Sequence, residues 1–219
     1  MKILLISDST SNPRSSSIHD NEKYLIDETY FYKLKNDFKD AIIHQITFGS
    51  LSTKKLLVEA QNYFIKWEPD IIIVHSGIND CKPSAISEIN KDKLINKFGY
   101  LMKYIKPIIY HPKLIKFFNI TSATKNEFKK HLKIFKSLFQ NSKIYWLEIS
   151  SEDKLEEKFP GVLKNKNDFN EVLTDVFGEN VIKIERKLIN EKGFSRDCLH
   201  YNSKGHHIIY NLIKEKMNY

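Results

Sequence analysis

A short apolar run near the amino terminus, Ile3 to Ile6, stops abruptly at the small polar residues Ser7 to Ser9. Consecutive apolar residues without alternation favour a strand of a parallel sheet, because both faces of such a strand are covered. In an open α/β sheet, ligands bind beyond the carboxyl ends of the strands. Ser9 is therefore a candidate nucleophile, although Ser7 to Ser9 viewed alone are more typical of a turn that caps a helix.

Strand and helix patterns alternate along the rest of the chain. Apolar runs predict further strands at residues 41–48, 70–75, 143–149 and 181–184. Apolar residues at helical spacing, together with a capping box at Thr124 to Glu127, predict helices over 27–38, 52–67, from Leu94 to a stop at Pro107, from Thr124 onward, around Phe169 to Val176, and over 203–217. Five strands separated by helices predict one α/β domain, residues 1–219, built as a three-layer α/β/α sandwich around a five-stranded parallel sheet.

Length and composition narrow the class of protein further. A chain of 219 residues can bury a core without disulfides, so Cys81 and Cys198 are interpreted as small buried thiols. No segment approaches the roughly 18 apolar residues of a membrane span, and the first apolar run is too short for a signal peptide. These features predict a soluble, cytoplasmic protein without a membrane span, and they indicate nothing about its oligomeric state.

The net charge of +8 comes almost entirely from lysines spread through predicted helices and loops. Such a distribution indicates solvated helix faces. The sequence has no basic, aromatic-interleaved motif of the known nucleic-acid modules, so no nucleic-acid partner is expected. The positive net charge is also compatible with an anionic substrate.

Residues that can do chemistry follow the predicted strand ends. Ser9 follows the first strand, Gly49 the second and Asn79 the third, while Asp197 and His200 stand before the last helix. This ordered set resembles the SGNH hydrolases, also called the GDSL esterase/lipase family, whose four name-giving residues match Ser9, Gly49, Asn79 and His200. Asp197 matches the triad acid of that family. The resemblance implies a flavodoxin-like SGNH hydrolase fold.

The match is strongest over residues 77–80 and 197–202, and the matching blocks extend from residue 3 to about 213. Two residues depart from the pattern of the family. Ser7 stands where the family usually has glycine, and Thr10 where leucine is common. A serine at position 7 narrows the space near the nucleophile or adds a hydroxyl to its turn.

The chemistry of these residue types supports the same interpretation. A serine hydroxyl needs a base near pH 7, and a neutral imidazole at His200 suits that task. Asp197 would fix the tautomer of His200 and stabilise the imidazolium. The backbone N–H groups of Ser9 and Gly49 and the side-chain amide of Asn79 would form an oxyanion hole.

The sequence therefore predicts a serine esterase that hydrolyses an acyl ester, acetyl being favoured, on a small-molecule or carbohydrate substrate, without a metal or cofactor. Two alternatives stay open. One is an O-acyltransferase to a sugar hydroxyl in surface polysaccharide biosynthesis, and the other is a catalytically idle binding module. Arg14 and Arg196 flank the motifs and are candidates for holding a carboxylate or phosphate of the substrate.

The segment Pro107 to Thr121 is apolar but has neither strand nor helix period. Two interpretations remain for it. A short helix from Pro112 packed on the core is favoured by its apolar composition. A lid or wall over the site that selects the substrate is the functional alternative.

Overall fold

The computed structural model describes residues 1–13 and 25–217, and it contains a five-stranded sheet whose strands all run parallel. The strands are β1 Lys2–Ser7, β2 Ile42–Thr47, β3 Ile71–His75, β4 Lys143–Leu147 and β5 Val181–Ile182. Their order across the sheet is β2-β1-β3-β4-β5. The sequence prediction of an α/β fold with a five-stranded parallel sheet is confirmed, with β1 at an inner position and β2 and β5 at the edges.

Helices connect the strands. The α-helices are α1 Tyr30–Asp37, α2 Thr53–Asn62, α3 Ile78–Cys81, α4 Glu88–Phe98, α5 Met102–Ile109, α6 Pro112–Phe118, α7 Lys125–Leu138, α8 Leu155–Lys158, α9 Val162–Phe177, α10 Glu185–Asn190 and α11 Ser203–Met217. Short 3₁₀ turns lie at Ser9–Ser11, Ile26–Glu28, Phe64–Trp67, Gly99–Leu101 and Gly178–Asn180. The predicted capping box is present, because Thr124 and Glu127 bond reciprocally at the start of α7.

Both faces of the sheet are covered, which explains the unbroken apolar run in β1. Leu4 and Ile6 pack with residues of α2, α7 and α9. Ile3 and Leu5 point the other way and pack with residues of α1 and α11. Successive side chains of a strand alternate between faces, so a strand between two helical layers must be apolar at every position.

The predicted helix from Leu94 to Pro107 is wrong in two respects. Its stripe is divided between α4 and α5 by the 3₁₀ turn at Gly99–Leu101. Pro107 also lies inside α5, which continues to Ile109. A proline lacks the N–H that would donate to the carbonyl oxygen four residues earlier, so Pro107 removes one bond from α5 without ending it.

The apolar segment after Pro107 forms the end of α5 and all of α6, and α6 begins at Pro112 as the favoured interpretation expected. Only part of its apolar surface belongs to the core. Ile115 is fully buried, whereas Phe117 and Phe118 are 80% and 52% exposed. The expectation that this helix packs on the core is thus correct for one side of α6 and wrong for its two phenylalanines.

The predicted helix over 52–67 is also shorter than expected. α2 ends at Asn62, and a 3₁₀ turn continues to Trp67 before Glu68 adopts a left-handed conformation with φ 51°. Over the ranges that the structure describes, no helix is both long and apolar enough to cross a membrane.

Candidate active site

The nucleophile candidate lies on a tight turn at the carboxyl end of β1. Ser9 begins the 3₁₀ turn, and Asp8 caps it by accepting hydrogen bonds from the Thr10 N–H at 2.9 Å and the Thr10 hydroxyl at 2.6 Å. The Asp8 N–H donates to the carbonyl oxygen of His75 at 3.1 Å. The turn is therefore fastened to the end of β3, and Ser9 stays partly exposed.

The departure at Ser7 is explained by the same turn. Ser7 is fully buried, and its hydroxyl bonds to the Asp8 carbonyl oxygen at 2.6 Å and to the Ser11 hydroxyl. A glycine could make neither contact. Two effects were expected for a serine at this position. The structure shows the second, an added hydroxyl, whose hydrogen bonds to Asp8 and Ser11 stabilise the turn.

The structure brings Ser9, His200 and Asp197 into one hydrogen-bonded chain. The Oγ atom of Ser9 lies 3.1 Å from Nε2 of His200. The Nδ1 atom of His200 lies 2.6 Å from Oδ2 of Asp197. The Oδ1 atom of Asp197 accepts the backbone N–H groups of Leu199 and His200 at 3.1 and 2.9 Å. Both carboxylate oxygens are thus held in place, one by the backbone and one by the imidazole.

The electrostatics determine which ring nitrogen carries the proton. Burial raises the pKa of Asp197, but the hydrogen bond and charge of His200 and the two backbone N–H groups outweigh it and hold that pKa well below its usual range. Asp197 is therefore ionised near neutral pH and can only accept, so Nδ1 of His200 must donate. In the tautomer whose single proton is on Nδ1, Nε2 is left as an acceptor for the Ser9 hydroxyl.

The loop that carries this acid–base pair has a constrained backbone. Cys198, between Asp197 and His200, has a left-handed φ of 66°. Its N–H donates to the Ser195 carbonyl oxygen at 2.9 Å, and the Ser195 N–H donates to that of His200 at 2.7 Å. These bonds keep Asp197 and His200 on one side of the turn.

Asn79 lies in α3, directly beyond β3. Its Nδ2 atom donates to Oδ2 of Asp8 at 3.3 Å and to the carbonyl oxygen of Leu51 at 3.4 Å. Both bonds are long and therefore weak. The entry into α3 requires Gly77, whose φ is 132° and whose missing Cβ would lie 2.6 Å from the Ile149 side chain. The structure thus places the Asn79 amide next to the nucleophile turn.

Gly49 lies in an exposed turn after β2. The preceding N–H, that of Phe48, donates to the Ser7 carbonyl oxygen at 2.9 Å, which holds this turn beside the end of β1. A Cβ built on Gly49 would meet no atom of the described residues within 4 Å, so packing against those residues does not require a glycine here.

Arg14 and Arg196 are the two arginines that were candidates for binding the substrate. Arg14 lies outside the described residues. Arg196 directly precedes Asp197 and is exposed. Its role in binding substrate stays a prediction.

Sequence reasoning missed a buried polar network on the α1 and α11 side of the site. His75 bonds through Nδ1 to the Tyr30 hydroxyl at 2.7 Å and through Nε2 to the Tyr201 hydroxyl at 3.0 Å. The Tyr201 hydroxyl also lies 2.8 Å from that of Ser150. Burial lowers the pKa of His75 to about 3, so the ring is neutral. Both ring nitrogens of His75 are thus hydrogen-bonded, and the only sequence signal of the network was the place of His75 at a strand end.

A cleft with a volume of about 100 Å³ opens beside Asn79. Hydroxyl groups dominate its lining, which includes Ser50, Ser84, Ser87, Thr121 and Ser122. Tyr110 and Phe159 add aromatic faces, and Nζ of Lys82 lies 5.2 Å from the centre of the Phe159 ring. Tyr110 and Thr121 belong to the segment suspected of forming a wall, whereas Phe117 and Phe118 are not among the lining residues. The cleft is small and polar, and of the described candidate site residues only Asn79 is among those that line it.

No group of three or more His, Cys, Asp or Glu side chains in residues 1–13 and 25–217 could hold a metal ion. Cys81 and Cys198 are both buried and free, and burial raises the pKa of the Cys81 thiol. A thiol held in its neutral form is a poor nucleophile.

The sheet order and the helical layers on both faces of the sheet define the fold. The chain has the three-layer α/β/α fold of the SGNH hydrolases. Its sequence matches no known protein-family profile and no curated protein.

Solved structures share this fold over almost the whole chain. A lipase/acylhydrolase from Enterococcus faecalis superposes with a TM-score of 0.66 at 13% identity, covering 99% of this chain and 94% of that one. An acetylxylan esterase from Geobacillus stearothermophilus gives a TM-score of 0.62 at 13% identity, covering 100% and 94%. A protein described as a GDSL-like lipase from Parabacteroides merdae gives 0.59 at 16% identity, covering 99% and 95%. At these identities the likeness concerns the fold.

Proposed function

We propose that this protein is a serine esterase that hydrolyses a small acyl ester through Ser9, His200 and Asp197. The observation that carries the proposal is the hydrogen-bonded chain from Ser9 Oγ through His200 to Asp197. Ser9 and His200 are 191 residues apart in sequence, so the fold brings them together. The fold shared with lipases and acetylxylan esterases supports the same conclusion.

In this mechanism the Ser9 hydroxyl attacks the ester carbonyl while Nε2 of His200 accepts its proton. Asp197 stabilises the resulting imidazolium. This role requires that its carboxylate be ionised and that hydrogen bonds hold both of its oxygens. The imidazolium then returns the proton to the leaving alcohol. Water, activated by the same ring, hydrolyses the acyl-enzyme and frees Ser9.

The oxyanion of the tetrahedral intermediate needs donors in place before it forms. The backbone N–H of Ser9, the N–H of Gly49 and the amide of Asn79 are the candidates. The Asn79 amide bonds to Asp8 and Leu51 only at 3.3 and 3.4 Å, so a negatively charged oxygen can compete for its hydrogens.

The substrate we propose is a short acyl group, acetyl above all, on a polar alcohol such as a carbohydrate. The cleft beside Asn79 supports this choice, because hydroxyl side chains can bond to sugar hydroxyls and its volume is only about 100 Å³. A long acyl chain would need a larger apolar groove. The acetylxylan esterase with the same fold acts on an ester of this kind, as its name states.

Transfer of the acyl group to a sugar hydroxyl would use the same acyl-enzyme, with the sugar replacing water. The idle binding module is the weaker alternative. The departure from the family pattern at Ser7 does not favour it, because the Ser7 hydroxyl bonds within the nucleophile turn.

Fluorophosphonate labelling tests the proposal directly. The folded wild-type protein should be labelled at Ser9, and Ser9→Ala should abolish labelling. A series of aryl esters from acetyl to octanoyl should then be cleaved with a preference for acetyl. Folded protein that is neither labelled nor active on any of these esters would show that the site is not an esterase.

A further inference from the structure

The region from Lys93 to Phe118 has an unusual charge composition. It contains six lysines and no aspartate or glutamate, in a chain that holds 27 acidic residues. The six lysines are Lys93, Lys97, Lys103, Lys106, Lys113 and Lys116, and all are exposed. No acidic residue thus stands between these lysines in sequence, whereas Lys125 and Lys129 of α7 pair with Glu171 and Asp175 of α9.

Large apolar side chains stand among these lysines and are also exposed. Tyr100, Tyr104, Ile108, Phe117 and Phe118 have exposed fractions of 77%, 64%, 60%, 80% and 52%. Single exposed apolar residues are ordinary, but a group of five within nineteen consecutive positions needs an explanation. We call these five residues and the six lysines the basic aromatic surface.

These apolar side chains are exposed because α5 and α6 each pack against the rest of the protein with one side only. Met102 and Ile109 are buried on one side of α5, and Ile115 is fully buried under α6. Tyr104 and Ile108, four residues apart, lie together on the outer side of α5. The two helices thus use their inner residues for packing and leave a second apolar face directed outward.

We propose that the basic aromatic surface docks the protein on an anionic phospholipid bilayer. Lysines can reach lipid headgroups with their charged ends while their stems follow the apolar surface. Tyrosine and phenylalanine rings and an isoleucine suit the boundary between headgroups and acyl chains. Lysines and exposed apolar side chains occur together on α5 and α6, and the surface continues onto the turn at Gly99–Leu101 and the end of α4, so both requirements are met.

The charge and the apolar side chains together favour a bilayer over a nucleic acid. A phosphate backbone would use the lysines but would leave Ile108 and the paired rings of Phe117 and Phe118, 5.0 Å apart, in water. A bilayer buries these groups. Docking would also bring the lipid surface to the candidate site, because Tyr110, at the end of α5, lines the cleft beside Asn79.

Vesicle sedimentation tests the proposal and does not depend on the esterase activity. We expect the protein to bind vesicles that contain phosphatidylserine, to bind pure phosphatidylcholine vesicles far less, and to dissociate as salt rises. Ser9→Ala should bind as wild type. No binding to phosphatidylserine vesicles at low salt would overturn the proposal.

Two sets of variants locate the surface. Replacing Lys103, Lys106, Lys113 and Lys116 by glutamine should weaken vesicle binding by about fivefold for each lysine. A control with the same change of charge replaces Lys35, Lys39, Lys66 and Lys187, which are exposed on other elements. An equal loss in the control would show that net charge alone, and not this surface, causes binding.

Phe117→Ser probes the apolar contribution and should weaken binding by about tenfold, since a ring inserted at the interface leaves water. Its high exposure makes misfolding unexpected, and circular dichroism checks this. If Phe117→Ser binds vesicles as wild type while duplex DNA binds the protein more tightly than the vesicles do, the partner is a polyanion and the bilayer proposal is wrong.

Discussion

Asp197→Asn should leave the heavy atoms of the triad in place and change only which nitrogen of His200 carries the proton. In the wild type, Oδ1 of Asp197 accepts two backbone N–H groups, and Oδ2 accepts Nδ1–H of His200. An asparagine at this place must keep its oxygen toward the two backbone donors, because an NH₂ group cannot accept from them. Its NH₂ group then faces His200.

That orientation forces the wrong tautomer on the imidazole. Nδ1 of His200 would have to accept from the amide, so the proton would move to Nε2, the nitrogen that must accept from Ser9 at 3.1 Å. We expect kcat for a short aryl ester to fall about ten-thousandfold, as for loss of the correct tautomer in other triads. The fold should persist, because both backbone bonds to position 197 are retained.

The assay is the rate of acetyl aryl ester hydrolysis, accompanied by the rate of fluorophosphonate labelling and by thermal unfolding. Both rates should fall together while unfolding stays cooperative. Activity within tenfold of wild type in a folded variant would refute the proposed role of Asp197 and the tautomer argument with it.

Four further predictions follow from the same geometry. Ser9→Ala should lower esterase activity about a thousandfold or more without changing thermal unfolding; near wild-type turnover would mean that another residue is the nucleophile. Asn79→Ala should lower kcat about a hundred- to a thousandfold with little change in KM, whereas a raised KM at unchanged kcat would assign Asn79 to ground-state binding. Gly77→Ala should destabilise the fold by about 2–5 kcal/mol, because φ is 132° and the new Cβ meets Ile149 at 2.6 Å; Gly99→Ala, with nothing within 4 Å, is the matched control in urea unfolding. Since the folded-state pKa of Asp197 lies below its usual value of 3.8, its ionised form stabilises the fold above that pH and the contribution is lost as pH falls toward the lower pKa. The unfolding free energies of wild type and Asp197→Asn should therefore converge as pH falls below 3.8, and a difference that stays constant there would contradict the shift.

The strand and helix pattern was largely decided by sequence. β1, β3 and α11 follow from apolar runs and helical spacing, and the start of α7 from its capping box, because each of these signals depends on residues only a few positions apart. The parallel sheet follows from the alternation of these elements. The site could be suggested only as an ordered set of residues at strand ends, since the carboxyl ends of parallel strands meet at one edge. As catalytic residues, Ser9, Asp197 and His200 stay predictions.

What the sequence left undecided depends on contacts between distant segments. Apolar residues at helical spacing indicate that a side can be buried but not that it will be, so the stripe from Leu94 could not reveal its break at Gly99. The apolar composition of Pro107 to Thr121 likewise could not reveal the exposure of Phe117. The bonds of His75 to Tyr30 and Tyr201 join three separate stretches, 45 and 126 residues apart. The Asn79 amide likewise turns toward Asp8 because the nucleophile turn lies beside α3. Partners that meet only after the chain has folded leave no periodic signal in sequence, and the tertiary structure alone decided them.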